Sequence, residues 1–120
     1  MESLFTDENI AGLKKVTPLI SKADEGGYTY IKIEDLILPP GCKPTKTNAL
    51  LCVTPRDGYN SRLFFAEKVS GSVADSRNWN GKIRVLGENW EAMSWNVPIE
   101  TDFASLLLIH LRALRHVQQS

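Results

Sequence analysis

The two cysteines of this chain are its strongest nucleophiles and could carry an acyl group as a thioester. Cys42 follows Pro-Pro-Gly in an expected loop, where the ammonium of the neighbouring Lys43 could lower the pKa of the thiol. An ordinary loop cysteine is the more common interpretation of that position. Cys52 lies in the apolar run 49–53, where a cysteine usually behaves as a small buried hydrophobe. Thiol chemistry is therefore a hypothesis for Cys42 and not for Cys52.

Ser94 is the candidate hydroxyl nucleophile, but a serine attacks only when an adjacent base takes its proton. No histidine lies near Ser94 in the sequence, so a serine–histidine pair could form only through the fold. His110 lies on an apolar helical stripe, which favours a hydrogen-bonded core histidine over a catalytic base. His116 is interpreted as a solvated residue near the end of the same helix. The sequence has no Cys-x-x-Cys and no Cys/His ligand spacing, so we expect no metal site and no cofactor.

All three tryptophans fall in one short segment, at Trp79, Trp90 and Trp95. A tryptophan is the side chain most suited to anchor a core or an interface. Trp90 is predicted to belong to the core. Trp79 lies in a polar stretch between Asn78 and Asn80, where an exposed anchor for a partner is as good an interpretation as a core position.

Composition excludes several classes of protein. The 120 residues fit one domain, and the 14 basic residues balance 14 acidic ones without a basic block, which argues against nucleic acid as a partner. The first residues contain no basic region followed by an apolar run, and no apolar run is long enough to span a bilayer. A secreted domain of this size usually contains more cysteines. We therefore expect a cytoplasmic domain without a membrane partner.

Both helices and strands must position these residues, and the order of these elements along the chain predicts an α+β fold. Thr6, as a capping hydroxyl, predicts a helix from about Asp7 to Val16, and Thr101 or Asp102 caps a final helix with one apolar stripe. Strands are predicted from alternating or continuous apolar runs at residues 28–33, with continuation to 38, and at 49–53, 63–66 and 82–86. The prediction is a four-stranded antiparallel meander between an N-terminal and a C-terminal helix, with an irregular segment before the second helix.

Three motifs occur in the order expected for one known superfamily. Residues 55–59 read Pro-Arg-Asp-Gly-Tyr before the third predicted strand, residues 80–85 read Asn-Gly-Lys-Ile-Arg-Val with Trp90 downstream, and residues 102–114 form the helix that follows. The chain thereby resembles the ubiquitin-conjugating (UBC) superfamily, whose members carry Pro-x-x-Tyr-Pro and Asn-Gly-x-Ile-Cys-Leu at these places. The last proline of the first motif is replaced by Asn60.

Within that superfamily, the chain most closely resembles the bacterial branch called prokaryotic family E. Its Leu-Pro-x-Gly pattern is similar to residues 38–41, and its Trp-x-x-Trp-Ser-Arg-His-like segment is similar to residues 90–96. The resemblance covers most of residues 28–117. Members of this branch are typically encoded beside ubiquitin-like proteins, activating enzymes and JAB-type peptidases.

The departures from the family pattern determine the expected function. The family's nucleophilic cysteine would align with Arg84, and its His-Pro-Asn turn would fall near residues 74–76, which read Ala-Asp-Ser. The resemblance thus implies a UBC-like component without the usual thioester chemistry, which binds a ubiquitin-like protein, its activating enzyme or another UBC protein through Trp79, Arg84 and Trp90. One alternative is an active enzyme whose acyl carrier is Ser94 or Cys42. The other is an unrelated α+β protein-interaction module.

Overall fold

The computed structural model describes residues 6–56, 58–71, 79–93, 97 and 102–115. Within these residues the chain forms two helices and one antiparallel sheet of six strands, in the sheet order β1-β2-β3-β4-β6-β5. The elements are α1 (Asp7–Val16), β1 (Ile20–Glu25), β2 (Tyr28–Ile37), β3 (Lys46–Cys52), β4 (Arg62–Phe65), β5 (Trp79–Val85), β6 (Glu88–Met93) and α2 (Phe103–Arg115).

The six-stranded sheet shows that the predicted fold, a UBC-like four-stranded meander between two helices, is wrong. The strand β1, which was not predicted, pairs along its whole length with β2. The second unpredicted strand, β6, lies between β4 and β5, so the strand that contains Arg84 does not neighbour β4. The segment expected to be irregular is therefore partly a regular hairpin. Trp79, which precedes the strand predicted at residues 82–86, begins β5.

The two helices begin where capping side chains are available. The Thr6 hydroxyl accepts a hydrogen bond from the Asn9 amide at 3.1 Å, which confirms the predicted start of α1. The Asp102 carboxylate accepts one from the Ser105 amide at 3.1 Å and caps α2, whereas Thr101 lies outside the described residues. The Asn9 side-chain oxygen also accepts the Phe103 amide at 2.8 Å, so the starts of the two helices are joined.

Both faces of the sheet are buried at its central strands, β3 and β4. The face covered by the helices carries the larger cluster, here called the helix-side core, which includes Leu13, Ile31, Ile33, Leu51, Phe65, Phe103 and Leu107. The opposite face carries the far-face cluster, formed by Tyr30, Leu50, Cys52, Phe64, Val85, Trp90 and Ala92. Since successive residues of a strand point to opposite faces, a strand that is buried on both sides needs consecutive apolar residues, and residues 49–52 of β3 and 63–65 of β4 provide them.

In the part of the chain that the structure describes, no helix covers the far-face cluster, and curvature of the sheet helps to enclose it. The Glu25 carboxylate, at the end of β1, accepts the Leu86 amide with both oxygens at 3.0 Å. Leu86 lies in the turn between β5 and β6, at the opposite end of the strand order. The two ends of the sheet therefore approach each other, and the far-face cluster lies inside the curve.

Candidate functional site

The thiol of Cys42 is buried and not in the exposed loop that the sequence predicted. Cys42 is 4% exposed, belongs to the helix-side core, and its sulfur lies 3.9 Å from the Leu114 carbonyl oxygen on α2. Burial raises the pKa of the Cys42 thiol, the opposite of the lowering expected from Lys43. A buried, protonated thiol cannot accept an acyl group, so the geometry gives no support to Cys42 as a displaced carrier.

Cys52 is buried in the far-face cluster, as the sequence predicted. Its sulfur contacts the Thr54 carbonyl oxygen at 3.3 Å and its side chain is fully enclosed. Both cysteines are free thiols. Neither cysteine presents a surface to a protein-sized acyl donor.

A serine–histidine pair does form, but with Ser61 and inside the core. Ser61 Oγ lies 2.8 Å from His110 Nε2, and both residues are buried. Burial, with a smaller effect of the Arg62 charge, lowers the pKa of His110 to about 4, so the ring is neutral at pH 7. This confirms the prediction that His110 is a hydrogen-bonded core histidine. Ser94 lies outside the described residues, as do Trp95 and His116.

The Asn-Gly-Lys sequence at residues 80–82 builds a β-bulge in β5. The register with β6 shifts between Asn80 and Ile83, and Lys82 adopts a positive φ of 58°. The Glu91 carboxylate lies over this bulge and accepts the Lys82 amide at 3.3 Å. A Cβ at Gly81 would lie 2.8 Å from one oxygen of that carboxylate, so a larger residue there would displace the Glu91 side chain from the bulge. The motif therefore has a structural role in this chain.

Trp90 stabilises the β5–β6 hairpin from its buried face. Its indole nitrogen donates to the Val85 carbonyl oxygen at 3.0 Å, and its ring is buried in the far-face cluster. The predicted core position of Trp90 is thus confirmed, and its burial is incompatible with direct contact with a partner. A tryptophan whose N–H finds an acceptor within the same hairpin suits a buried site.

Trp79 and Arg84 lie on the face of the hairpin opposite to Trp90. Ile83 and Val85 point into the far-face cluster, so the alternation of the strand turns Arg84 the other way. Trp79 is half-buried, and its ring centroid lies 5.8 Å from that of Phe65 in the helix-side core. Trp79 therefore anchors the start of β5, whereas Arg84 is exposed.

Two arginines flank the ring of Phe64 in the far-face cluster. The guanidinium carbons of Arg56 and Arg62 each lie 5.5 Å from the Phe64 ring centroid. Arg56 also lies 4.8 Å from the Tyr28 ring and donates to the hydroxyl of Tyr30. These contacts explain the residues around the Pro-Arg-Asp-Gly-Tyr motif, because Arg56 ties the β3–β4 connection to the sheet.

Arg62 connects β4 to the β5–β6 hairpin through hydrogen bonds. It donates to the Asn80 side-chain oxygen at 2.9 Å and to the Met93 carbonyl oxygen at 3.2 Å. Its guanidinium also lies 4.6 Å from the Tyr59 ring. Sequence reasoning did not single out Arg62, and no local pattern around it indicates that it is buried.

The described residues contain no group of three His, Cys, Asp or Glu side chains arranged to hold a metal ion. No helix in the described part of the chain is long and apolar enough to cross a membrane. The chain matches no family model, no curated protein and no solved structure. The resemblance to the UBC superfamily therefore depends on the sequence motifs alone.

Proposed function

We propose that this protein binds another protein within a bacterial ubiquitin-like conjugation system and carries no acyl group on a thiol. The observation that carries the proposal is the contrast between Arg84 and the cysteines. The residue aligned with the family's nucleophile is an exposed arginine, and both thiols of the chain are buried. The motif resemblance supports the proposed pathway, and the accessible side chains support the proposed mode of action.

Arg84 has the chemistry to hold a carboxylate. A guanidinium presents a planar fork of donors that pairs with both oxygens of a carboxylate, and it keeps its charge at any physiological pH. On β5 it has the exposed Asn89 as its cross-strand neighbour. Arg84 and Asn89 are here called the β5 surface. The partner would supply an acidic side chain or the C-terminal carboxylate of a ubiquitin-like tail to this surface.

The test mixes the protein with the activating enzyme and the ubiquitin-like protein of a bacterial conjugation system, with and without ATP. Gel electrophoresis without reductant is expected to show no covalent adduct, while calorimetry shows a complex with one of the components. Arg84→Glu is expected to weaken that complex about tenfold or more, as loss of one charge-assisted contact implies. Lys68→Glu, a charge reversal in an exposed loop, is the matched control and should leave the affinity unchanged.

Two adducts would contradict the proposal in different ways. A reductant-sensitive adduct that disappears in Cys42→Ala would establish a thiol carrier despite the burial of that residue. An adduct that resists reductant, yields to hydroxylamine and disappears in Ser94→Ala would establish a hydroxyl carrier.

A second candidate function is a protein-interaction module outside any conjugation pathway. The sheet order favours it, because β6 separates β5 from β4 and the strands do not form the meander that the resemblance implies. This candidate would be favoured if the chain bound none of the conjugation components while circular dichroism showed that it was folded. The two free thiols suit a reducing compartment in either case, and we propose the cytoplasm.

A further inference from the structure

A cleft lies where the end of β2 meets the outer side of α2. It encloses about 320 Å³ and is lined by Ile37, Pro39, Leu108, Leu111 and Arg112. The three residues from α2 are three and four positions apart, so they share one face of the helix. These five residues are here called the α2 cleft, and none of them belongs to the β5 surface.

The apolar lining of the α2 cleft is unusually exposed. Ile37 is 69% exposed and Leu108 is 50% exposed, whereas Leu111 at 8% forms the floor. Of the four large hydrophobic residues that are exposed in the described chain, these are two, and they line the same cleft. Single exposed leucines are common on protein surfaces, but adjoining ones around a cleft mark a place where something binds.

Arg112 adds positive charge to this apolar surface. It lines the cleft and its side chain is exposed. None of the described residues that line the cleft is acidic. The cleft is therefore complementary to a group that is both apolar and negatively charged.

We propose that the α2 cleft docks a short segment of a partner protein in which a leucine or phenylalanine lies next to an aspartate or glutamate. The apolar side chain would cover Ile37, Leu108 and Leu111, and the carboxylate would pair with Arg112. A segment of protein suits the cleft better than a small molecule does. Small ligands need enclosure on most of their surface, and two of the residues that line this cleft, Ile37 and Leu108, are at least half exposed.

The experiment selects binders from a phage library of random short peptides on the full chain. Enriched peptides are expected to place an acidic residue beside Leu or Phe and to bind the chain in a fluorescence anisotropy titration. Replacing their acidic residues by lysine should abolish binding. Leu108→Ser and Arg112→Glu should each weaken binding about tenfold or more, because each removes one half of the recognition.

Matched controls separate the cleft from general surface effects. Leu19 is 50% exposed, the same fraction as Leu108, so Leu19→Ser removes an equal apolar surface elsewhere and should leave peptide binding unchanged. Lys68→Glu reverses a charge in an exposed loop and should do the same. Circular dichroism of each variant checks that the chain remains folded.

Several results would overturn the proposal. The selection could enrich no peptide, or it could enrich peptides without acidic residues. Peptide binding could also persist in both Leu108→Ser and Arg112→Glu. Self-association of the chain that is lost in Leu108→Ser would instead identify a second copy as the occupant. The inference is independent of the proposed conjugation function, because peptide binding at the cleft does not require any ubiquitin-like component.

Discussion

Substitution of Gly71 by alanine should loosen the loop that buries Cys42. Gly71 adopts a φ of +144°, and a Cβ there would lie 2.6 Å from the Gly41 carbonyl oxygen. The strained backbone should cost about 1–3 kcal/mol. The clash is with a backbone atom, which cannot rotate away, so separating the two segments should cost about 1–3 kcal/mol more. We therefore expect Gly71→Ala to lower the free energy of unfolding by about 2–6 kcal/mol.

The same substitution should make the Cys42 thiol reactive. The segments around Gly41 and Gly71 are joined by two backbone hydrogen bonds between Lys43 and Ser70, of 2.9 and 2.8 Å, which the clash would disturb. Alkylation under native conditions, with the modified peptide identified by mass spectrometry, should label Cys42 faster in Gly71→Ala than in the unmodified chain. Urea unfolding followed by circular dichroism gives the stability.

Gly12→Ala is the control for this prediction. Gly12 lies in α1, and a Cβ there would meet nothing within 4 Å. Alanine is the better helix former, so this variant should gain about 0.5–1 kcal/mol and leave the Cys42 thiol protected. Two results together would refute the predicted effect on the loop. They are a free energy of unfolding of Gly71→Ala within about 0.5 kcal/mol of that of the unmodified chain, and a Cys42 thiol that reacts no faster.

Two further substitutions test the buried polar groups. His110 has a pKa of about 4 in the folded chain, against an ordinary value of 6.5. The unfolded chain therefore binds the proton more readily than the folded chain does. As a result, the free energy of unfolding should fall as the pH drops from 6.5 to 4. His110→Gln should flatten this slope in urea titrations at several pH values; an unchanged slope would show that other groups cause it. Trp90→Phe removes the hydrogen bond to Val85 and part of a buried ring, so it should cost about 1–3 kcal/mol of unfolding free energy. Trp79→Phe, at a half-buried position, should cost less, and an equal loss would contradict the assigned roles.

Local signals were sufficient to predict the helices and the central strands. The Thr6 cap and the residues after it specify the start of α1, and the apolar runs of β2, β3 and β4 are visible because these strands are buried. Such features depend on neighbours within a few residues. They carry their structural meaning before any tertiary contact is known.

The two strands that were missed lack a local signal. In β1 only Ile20 and Ala23 are partly buried, since the strand lies at the edge of the sheet and the rest of its side chains face solvent. Its hairpin with β2 depends on the Gly26-Gly27 turn, in which both residues have positive φ. The strand β6 is specified by pairing with β4 as well as β5, and the first of these contacts is distant in sequence.

The site residues were harder to predict than the elements that carry them. The sulfur of Cys42 meets a carbonyl group 72 positions away, and Ser61 meets His110 across 49 positions. Whether a cysteine is reactive or a histidine is a base depends on burial, and burial comes from these distant contacts. The residue type alone therefore indicates which chemistry is possible. Whether that chemistry can take place depends on the fold.

The two exposed surfaces should respond differently to salt, which gives a way to tell which of them a natural partner uses. At the β5 surface the proposed recognition is a single exposed charge pair, and added salt screens such pairs strongly. At the α2 cleft the charge of Arg112 accompanies apolar contacts with Ile37, Leu108 and Leu111, whose contribution does not depend on screening. A complex that dissociates as salt rises and is sensitive to Arg84→Glu thus uses the β5 surface. One that retains most of its affinity in salt and is sensitive to Leu108→Ser uses the cleft.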